Sequence, residues 1–171
     1  MNDPRAVLLT GVFGAGKSAV AEEIADLLEA SAPPYAAIDL DWLCWSNAGG
    51  ADHHEHEILA RNLAAVAGNY RDAGVERFVL AGSVADAATL EAVCSAMAVP
   101  VLVVRLTAPL AIIEERLSSS PTHGRADDLA RARVWLTEGT GAGLEDEAIE
   151  NVGPIRETAL RILALAGWST G

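Results

Sequence analysis

The residues from Gly11 to Ser18 (GVFGAGKS) place glycines, a lysine and a hydroxyl at the spacing of a phosphate-binding loop, G-x-x-x-x-G-K-[ST]. Glycine lets backbone N–H groups turn inward around phosphate oxygens without interference from a Cβ atom, and the helix that follows adds the positive end of its dipole. We expect Lys17 to lie in a solvated loop, to carry its charge to the β- and γ-phosphates and to act in catalysis, while the Ser18 hydroxyl suits Mg²⁺. The residues predicted to contact the nucleotide here are Gly11, Phe13, Gly14, Ala15, Gly16, Lys17, Ser18 and Ala19.

The sequence on either side of this run supports a phosphate-binding function. The apolar residues 6–9 are typical of a buried strand, and Val20, Ile24, Leu27 and Leu28 are spaced for one face of a helix. A bare match of this kind can also be a chance glycine-rich turn. The strand before the run and the helix after it favour the nucleotide site over that alternative.

Length and charge limit the classes of protein to which the chain can belong. Its 171 residues suit one compact domain over residues 1–171. The net charge of −12 disfavours partners such as nucleic acid or an anionic membrane surface, since both reward clustered Lys and Arg. ATP remains compatible with this charge because local backbone dipoles and one lysine hold it. Lys17 is the only lysine in the chain.

Two further features predict a cytoplasmic protein. Residues 1–5 have no signal-peptide layout, and no apolar run approaches the length of a membrane span. Cys44 and Cys94 are isolated thiols, and their spacing indicates neither a zinc site nor a redox pair. We therefore expect a monomer or homodimer that binds a small-molecule substrate and has no nucleic-acid or membrane partner.

Apolar runs alternate with helical patterns along the chain and predict its fold. The runs are continuous instead of alternating with polar residues, which is typical of strands covered on both faces and hence of a parallel sheet. The sequence therefore predicts an α/β fold, namely a three-layer α/β/α sandwich with a parallel five-stranded sheet. The predicted strands are residues 6–9, 35–40, 78–81, 99–106 and 148–150.

With its phosphate loop and this order of elements, the chain resembles the P-loop small-molecule kinases. That group includes nucleoside monophosphate kinases, shikimate kinase, gluconate kinase, adenylylsulfate kinase and chloramphenicol phosphotransferase. The resemblance covers most of the chain, and residues 11–18 are its most specific part. It implies the fold of the P-loop containing nucleoside triphosphate hydrolases and the use of ATP and Mg²⁺. It also implies transfer of the γ-phosphoryl group of ATP to a hydroxyl or phosphate of a small acceptor.

The second predicted strand ends in Asp39-Leu40-Asp41, with two aspartates at the strand end. Strand alternation places both carboxylates on one side of the strand end, facing the crevice beside the phosphate loop. Shikimate kinase has a similar pair at this place, which implies that Asp39 serves the water shell of Mg²⁺ and that Asp41 positions the acceptor or acts as its base. Two like charges beside a polyphosphate favour a cation between them. The alternative is that both acids only cap a loop.

Two stretches resemble the adenine-binding parts of these kinases. Arg116, in Glu115-Arg116-Leu117, matches an arginine that packs on the adenine, and Asn151-Val152-Gly153-Pro154 resembles a loop whose backbone meets the adenine edge. The resemblance therefore implies that Arg116, Asn151 and Pro154 contact ATP. Proline is also common in the first turn of a helix, so a purely structural role for Pro154 stays open.

The resemblance further implies a mobile lid at about residues 118–127. In these kinases a second arginine, three residues after the first, reaches the transferring phosphoryl group, whereas this chain has Ser119 at that position. A cation is still needed because the transition state spreads negative charge over three oxygens. Arg125 is the predicted catalytic replacement, with Arg131 and Arg133 further along the chain. The other interpretation of Arg125 is a solvated loop arginine.

The region after the second strand covers the acceptor in related kinases, which implies that Trp42, Trp45, Glu57 and Arg61 line the acceptor pocket. The two tryptophans are equally compatible with a place in the core, and Arg61 with a place in solvent. Residues 52–57 (DHHEHE) include three histidines, but these lack the i, i+4 arrangement of a zinc-binding helix. We interpret this run as a solvated loop that opens the next helix and not as a metal site.

Two functions from different classes compete for this chain. The first is an ATP-dependent kinase for a small acceptor, which the pair Asp39 and Asp41 favours. The second is a nucleotide-binding module that regulates or partners another protein with little transferase activity, which the absence of an arginine at position 119 favours. We adopt the kinase hypothesis and leave the acceptor open, because the acceptor region matches no complete motif.

Overall fold

The computed structural model describes residues 5–30, 33–45, 55–119 and 125–168, and for residues 55, 125 and 126 it describes the backbone alone. These residues build one sheet of five parallel strands in the order β2-β3-β1-β4-β5. The strands are β1 (Ala6–Thr10), β2 (Tyr35–Asp39), β3 (Arg77–Ala81), β4 (Val101–Thr107) and β5 (Glu147–Glu150). The helices are α1 (Lys17–Glu29), α2 (Asp41–Cys44), α3 (Glu55–Asp72), α4 (Ala87–Met97), α5 (Leu110–Ser118), α6 (Arg125–Glu138) and α7 (Ile155–Leu165).

The central strand β1 is buried along its whole length, which explains its uninterrupted apolar sequence. Its residues point alternately into two separate cores. Val7 and Leu9 belong to a core that also contains side chains of α1, α5 and α7. Ala6 and Leu8 belong to a second core with side chains of α3 and α4. The predicted three-layer α/β/α sandwich with a five-stranded parallel sheet is therefore confirmed.

The sheet order determines where a ligand can bind. β1 pairs with β3 on one side and with β4 on the other, so the connections leave β1 in opposite directions. In parallel α/β sheets such a reversal opens a crevice at the carboxyl ends of the strands. The phosphate loop follows β1 at this edge, and Asp39 ends β2 at the same edge. The topology therefore brings together two motifs that lie far apart in the sequence.

The strand boundaries lie within two residues of those predicted, whereas α2 was not predicted and α3 already begins at Glu55, inside the run 52–57 that was expected to be a loop. The carboxylate of Asp86 accepts a hydrogen bond from the Thr89 N–H at 2.8 Å and thereby caps the start of α4. Pro109 directly precedes α5. β4 begins later than predicted, directly after Pro100, which has no N–H to give to the sheet. Among the described residues, no helix is long and apolar enough to cross a membrane.

Candidate functional site

The backbone of the phosphate loop has a conformation that requires glycine. Gly11 has a φ of 130°, and a Cβ atom there would lie 2.3 Å from the carbonyl oxygen of Leu106 in β4. Gly16 has a φ of 96°, and a Cβ atom there would lie 2.5 Å from the amide nitrogen of the Asn151 side chain. A side chain at either position would force the backbone to move. The glycines near both ends of the motif therefore allow the loop to pack against β4 and against Asn151, which precedes α7.

Lys17 is buried, which corrects the expectation that it lies in a solvated loop. It is the first residue of α1, and only 8% of its surface is exposed. Its Nζ atom donates hydrogen bonds to the carbonyl oxygens of Gly11 at 3.0 Å and Val12 at 3.1 Å. The loop thus curls around its own lysine, and the ammonium group lies inside the ring of backbone that would receive a phosphate.

Burial lowers the pKa of Lys17 from 10.5 to about 8, and the negative charges of Asp41, Asp39 and Asp128 oppose this shift in that order. The pKa of Asp41 is raised, first by burial and then by the charge of Asp39, while Lys17 lowers it and Asp128 raises it further. One buried cation and three carboxylates therefore act on one another in this crevice. Such mutual perturbation is typical of functional sites.

Asp39 and Asp41 lie at one site, and Asp39 also accepts a hydrogen bond from the backbone. The Oδ1 atom of Asp39 accepts a hydrogen bond from the backbone N–H of Asp41 at 3.0 Å, and Asp41 begins the short helix α2. The capping interpretation is therefore correct for that oxygen of Asp39. It does not account for Asp41, whose carboxylate interacts with Lys17. The pair thus combines a structural contact with a place beside the phosphate loop.

Sequence analysis missed Asp128. This residue lies in the first turn of α6, next to Asp127. Acids are common in first turns because they stabilise the helix dipole, so the sequence offered no reason to single it out. The packing of α6 across the crevice brings its charge to Lys17 and Asp41.

Arg116 and Asn151 hold the back of the phosphate loop. The guanidinium of Arg116 donates to the carbonyl oxygens of Gly14 at 3.3 Å, Ala15 at 3.2 Å and Asn151 at 2.7 Å. The buried Asn151 side chain donates from Nδ2 to Ala15 O at 2.9 Å and accepts from the Thr158 hydroxyl at 3.0 Å. In a trans peptide the C=O and the next N–H point in opposite directions, so these bonds direct the Gly16 N–H into the loop. The need for Thr158 was not predicted.

The helix α6 packs on the front of the loop through Phe13. The rings of Phe13 and Trp135 meet edge to face with their centroids 5.9 Å apart. The guanidinium of Arg131 lies 5.9 Å from the Phe13 ring centroid, and the Lys17 ammonium lies 5.5 Å from it. Phe13 is part of the phosphate loop, and these contacts link the loop to α6.

The three arginines considered for the lid differ in their positions. Arg131 lies over the loop residue Phe13. Arg133 instead forms an ion pair with Glu114 of α5 at 2.6 Å, on the outer side of the helix. The side chain of Arg125 lies outside the described residues, as do residues 120–124 of the predicted lid. Ser119 ends α5, and its hydroxyl donates to the carbonyl oxygen of Arg116 at 2.9 Å.

Several other predicted residues lie at the surface around the crevice. Ser18, in the first turn of α1, and Pro154, directly before α7, are exposed, and Ala19 is half-buried. Glu57 and Arg61 are exposed on α3.

Trp42 and Trp45 are exposed over 71% and 75% of their surfaces, so a place in the core is wrong for both. Residues 46–54, which include two of the three clustered histidines, lie outside the described residues. The third, His56, forms a hydrogen bond of 3.2 Å with the Thr89 hydroxyl. Within the described part of the chain, no group of three or more His, Cys, Asp or Glu side chains is arranged to hold a metal ion.

Comparison with known proteins finds solved structures of similar architecture. No protein-family model matches the chain, and no curated protein matches it by sequence. A sugar kinase from a Janibacter species superposes with a TM-score of 0.70 at 20% identity, over 98% of this chain and 96% of its own. A gluconokinase from Sinorhizobium meliloti gives 0.65 at 19% identity, over 98% and 94%.

An APS kinase from Mycobacterium tuberculosis, solved with AMPPNP and APS, gives a TM-score of 0.64 at 23% identity, over 96% of this chain and 98% of its own. These identities are too low to carry an activity from one protein to another, but the superpositions span nearly the whole chain. The expected fold is therefore confirmed: this chain has the P-loop fold that small-molecule kinases share.

Proposed function

We propose that this chain is an ATP-dependent kinase that transfers the γ-phosphoryl group of ATP to a small-molecule hydroxyl or phosphate acceptor. The observation that carries the proposal is the cluster formed by Lys17 and Asp41, in which a buried cation inside the phosphate loop faces a carboxylate of raised pKa. The similar solved structures include a sugar kinase, a gluconokinase and an APS kinase, which agrees with this choice. We further propose that it acts in the cytoplasm as a monomer or homodimer.

The loop would hold the triphosphate through its backbone. The Gly16 N–H is directed inward by the contacts of Ala15 O with Arg116 and Asn151, and the amino end of α1 adds its dipole. Lys17 would exchange its hydrogen bonds to Gly11 O and Val12 O for bonds to phosphate oxygens. This exchange offsets the cost of the buried charge. The bound triphosphate thereby gains a preformed cation.

The adenine would lie on the outer side of Arg116 and Asn151, the two residues that hold the phosphate loop. Arg116 uses the edge of its guanidinium for the three carbonyl oxygens, which leaves its planar face for stacking on a ring. The backbone from Asn151 to Pro154 borders this position, and Pro154 is exposed. We therefore keep Arg116, Asn151 and Pro154 as the proposed adenine-binding residues, with the bracing of the loop as a second role for the first two.

Ser18 and Asp39 are the residues that fit Mg²⁺. The Ser18 hydroxyl is exposed in the first turn of α1, and Asp39 engages one carboxylate oxygen, Oδ1, with Asp41 N–H. Hydroxyl and carboxylate oxygens are the hard ligands that Mg²⁺ prefers, and it is usually bound by one or two protein groups together with substrate phosphates. When bound, the ion would neutralise charge on the β- and γ-phosphate oxygens.

The transfer step follows from the position of Asp41. The acceptor oxygen attacks the γ-phosphorus and forms a new P–O bond, while the bond to the β-phosphate oxygen breaks and ADP leaves with the electron pair. For a hydroxyl acceptor, Asp41 takes the proton. Its raised pKa makes it a better proton acceptor than an ordinary carboxylate.

Charge developing on the transferred group also needs a cation. Arg131 lies over Phe13 at the loop, and Arg125 begins α6, so this helix would supply it. Arg125 remains the proposed lid arginine, with Arg131 as a second source. A nucleotide-binding module is the alternative function. It is favoured by Ser119, whose hydroxyl bonds to the end of α5 where related kinases place an arginine.

Isotope transfer separates the two functions. The protein is incubated with Mg²⁺, ATP labelled at the γ-phosphate and pools of hydroxylated or phosphorylated metabolites, and labelled products are separated from inorganic phosphate. A kinase gives a labelled organic product that Asp41→Asn reduces by roughly 10²-fold or more. Tight ATP binding with label only in ATP and inorganic phosphate for every pool supports the binding module and rejects the kinase.

A further inference from the structure

Two tryptophans beside the catalytic cluster are exposed to an unusual degree. Trp42 and Trp45 are exposed over 71% and 75% of their surfaces, whereas the next most exposed large apolar side chain among the described residues, Val134, reaches 51%. Their ring centroids lie 5.0 Å apart with 37° between the ring planes, so they form one continuous aromatic surface. Exposing this much aromatic area to water is costly, and such patches commonly mark binding sites.

The element that carries the tryptophans is held firmly in place. Leu40, directly before α2, is buried and packs so closely on Gly82 that a Cβ atom there would lie 2.7 Å from the Leu40 Cβ. The Asn62 side chain of α3 donates to Leu43 O at 2.6 Å. The tryptophans are therefore presented by an anchored turn, which reduces the entropy that a ligand would lose on binding.

Charge around Asp41 limits which ligand this surface can take. Within the described residues, the groups that act on Asp41 are the carboxylates of Asp39 and Asp128 and a single cation, Lys17. Lys17 is committed to the phosphate loop. The charges that act on Asp41 thus sum to a net negative value, which disfavours a second anion and tolerates a neutral or cationic molecule.

We propose that Trp42 and Trp45 form the acceptor subsite and that the acceptor is a hydroxyl-bearing ring without negative charge, stacked by its flat apolar face on the indoles. This inference rests on the proposed kinase function and names its substrate class. Asp41 directly precedes Trp42 in α2, so a ring that extends beyond the indoles would bring its hydroxyl groups within reach of the Asp41 carboxylate. The negative face of an indole attracts the C–H groups of a sugar and an ammonium group, and it also forms offset stacks with nucleobases.

Calorimetry with a panel of probes tests the ligand class without requiring turnover. The panel contains methyl glucoside, glucosamine and adenosine as rings without negative charge, gluconate and glucuronate as acids, and glucitol as an open chain. It is titrated into protein saturated with a non-hydrolysable ATP analogue and Mg²⁺. The inference predicts binding of at least one uncharged or cationic ring, and weaker binding of the acids and of glucitol. Adenosine against the two sugars distinguishes a nucleobase from a sugar as the stacked group.

Matched variants test the two tryptophans. Trp42→Ala and Trp45→Ala should each weaken binding of the preferred ring about tenfold, leave the affinity for the ATP analogue unchanged, and be rescued in large part by Phe. Tyr70→Ala is the control, since Tyr70 is also an exposed aromatic but lies near the end of α3 that leads to the opposite edge of the sheet. Thermal unfolding confirms that each variant is folded.

The outcomes separate this inference from the kinase proposal. Preference for an acid or for glucitol, binding of no ring in the panel, or unchanged binding by both Ala variants overturns the aromatic subsite, even where label transfer proves that the chain is a kinase. Ring binding that depends on the tryptophans, with no transfer of label to any acceptor pool, supports the ring-binding surface and rejects the kinase proposal.

Discussion

Raising the pH from 7 to 9 should weaken ATP binding about tenfold through Lys17 alone. Burial lowers the pKa of this lysine to about 8, so about nine-tenths of the chains carry the cation at pH 7 and about one-tenth carry it at pH 9. Only the charged form offers the phosphates an ammonium group. A lysine of ordinary pKa, 10.5, would remain almost fully charged over the same range. ATP affinity should fall as the pH rises, because the lowered pKa makes Lys17 lose its charge between pH 7 and 9.

The same shift predicts that ATP binding takes up protons. At pH 8.5 about three-quarters of the lysines are neutral, and the bound phosphates should restore the charge, so each binding event takes up about three-quarters of a proton. Calorimetry in two buffers with different ionisation enthalpies measures this number directly. Lys17→Arg is the control, because a guanidinium keeps its charge throughout this range, and it corrects for the titration of ATP itself. If the pH dependence of ATP affinity and the proton uptake are the same for the wild type and for Lys17→Arg, the pKa of Lys17 is not lowered.

Three further substitutions test the parts of the site separately. Asp41→Asn should leave ATP affinity nearly unchanged and slow transfer by roughly 10²-fold or more, and a wild-type rate would make Asp41 structural. Asn151→Ala removes two buried side-chain hydrogen bonds and should lower the free energy of unfolding by about 1–3 kcal/mol in urea titrations. An unchanged urea midpoint would contradict the role of Asn151 in holding the phosphate loop. Arg131→Ala should reduce kcat with little effect on ATP affinity, while Arg133→Ala, which loses only an exposed ion pair, should behave as wild type. The reverse result would place the transition-state cation on the outer side of α6.

Much of the fold is predictable from the sequence because its signals are local. The continuous apolar run of β1 followed by Gly11–Ser18 specifies a buried strand and a phosphate loop within a short stretch of chain. The cap of α4 at Asp86 depends on a contact only three residues away. Parallel pairing also follows from the strand composition, since strands covered on both faces need no polar alternation. These inferences required no knowledge of which residues meet across the molecule.

The position of the acidic pair was predictable for the same reason, although its surroundings were not. Asp39 and Asp41 follow a strand in a parallel sheet, and the carboxyl ends of such strands meet at the ligand crevice. The sequence alone determined that much. It left open whether the acids cap a loop or serve the site, because that depends on how near Lys17 lies. Asp128 stayed hidden because an acid in a first turn is ordinary in any helix.

The sequence by itself determined that this chain has a phosphate loop, a parallel sheet and acids at its edge. Only the tertiary structure decided that Lys17 is buried, that Asn151 reaches Ala15 across 136 residues of chain, that Arg131 and not Arg133 lies over the loop, and that the tryptophans of α2 face water. The physical reason is that burial and long-range hydrogen bonds depend on which surfaces pack together. Helical spacing places both arginines on α6, but the packing of that helix against Phe13 determines which of them is near the phosphate loop.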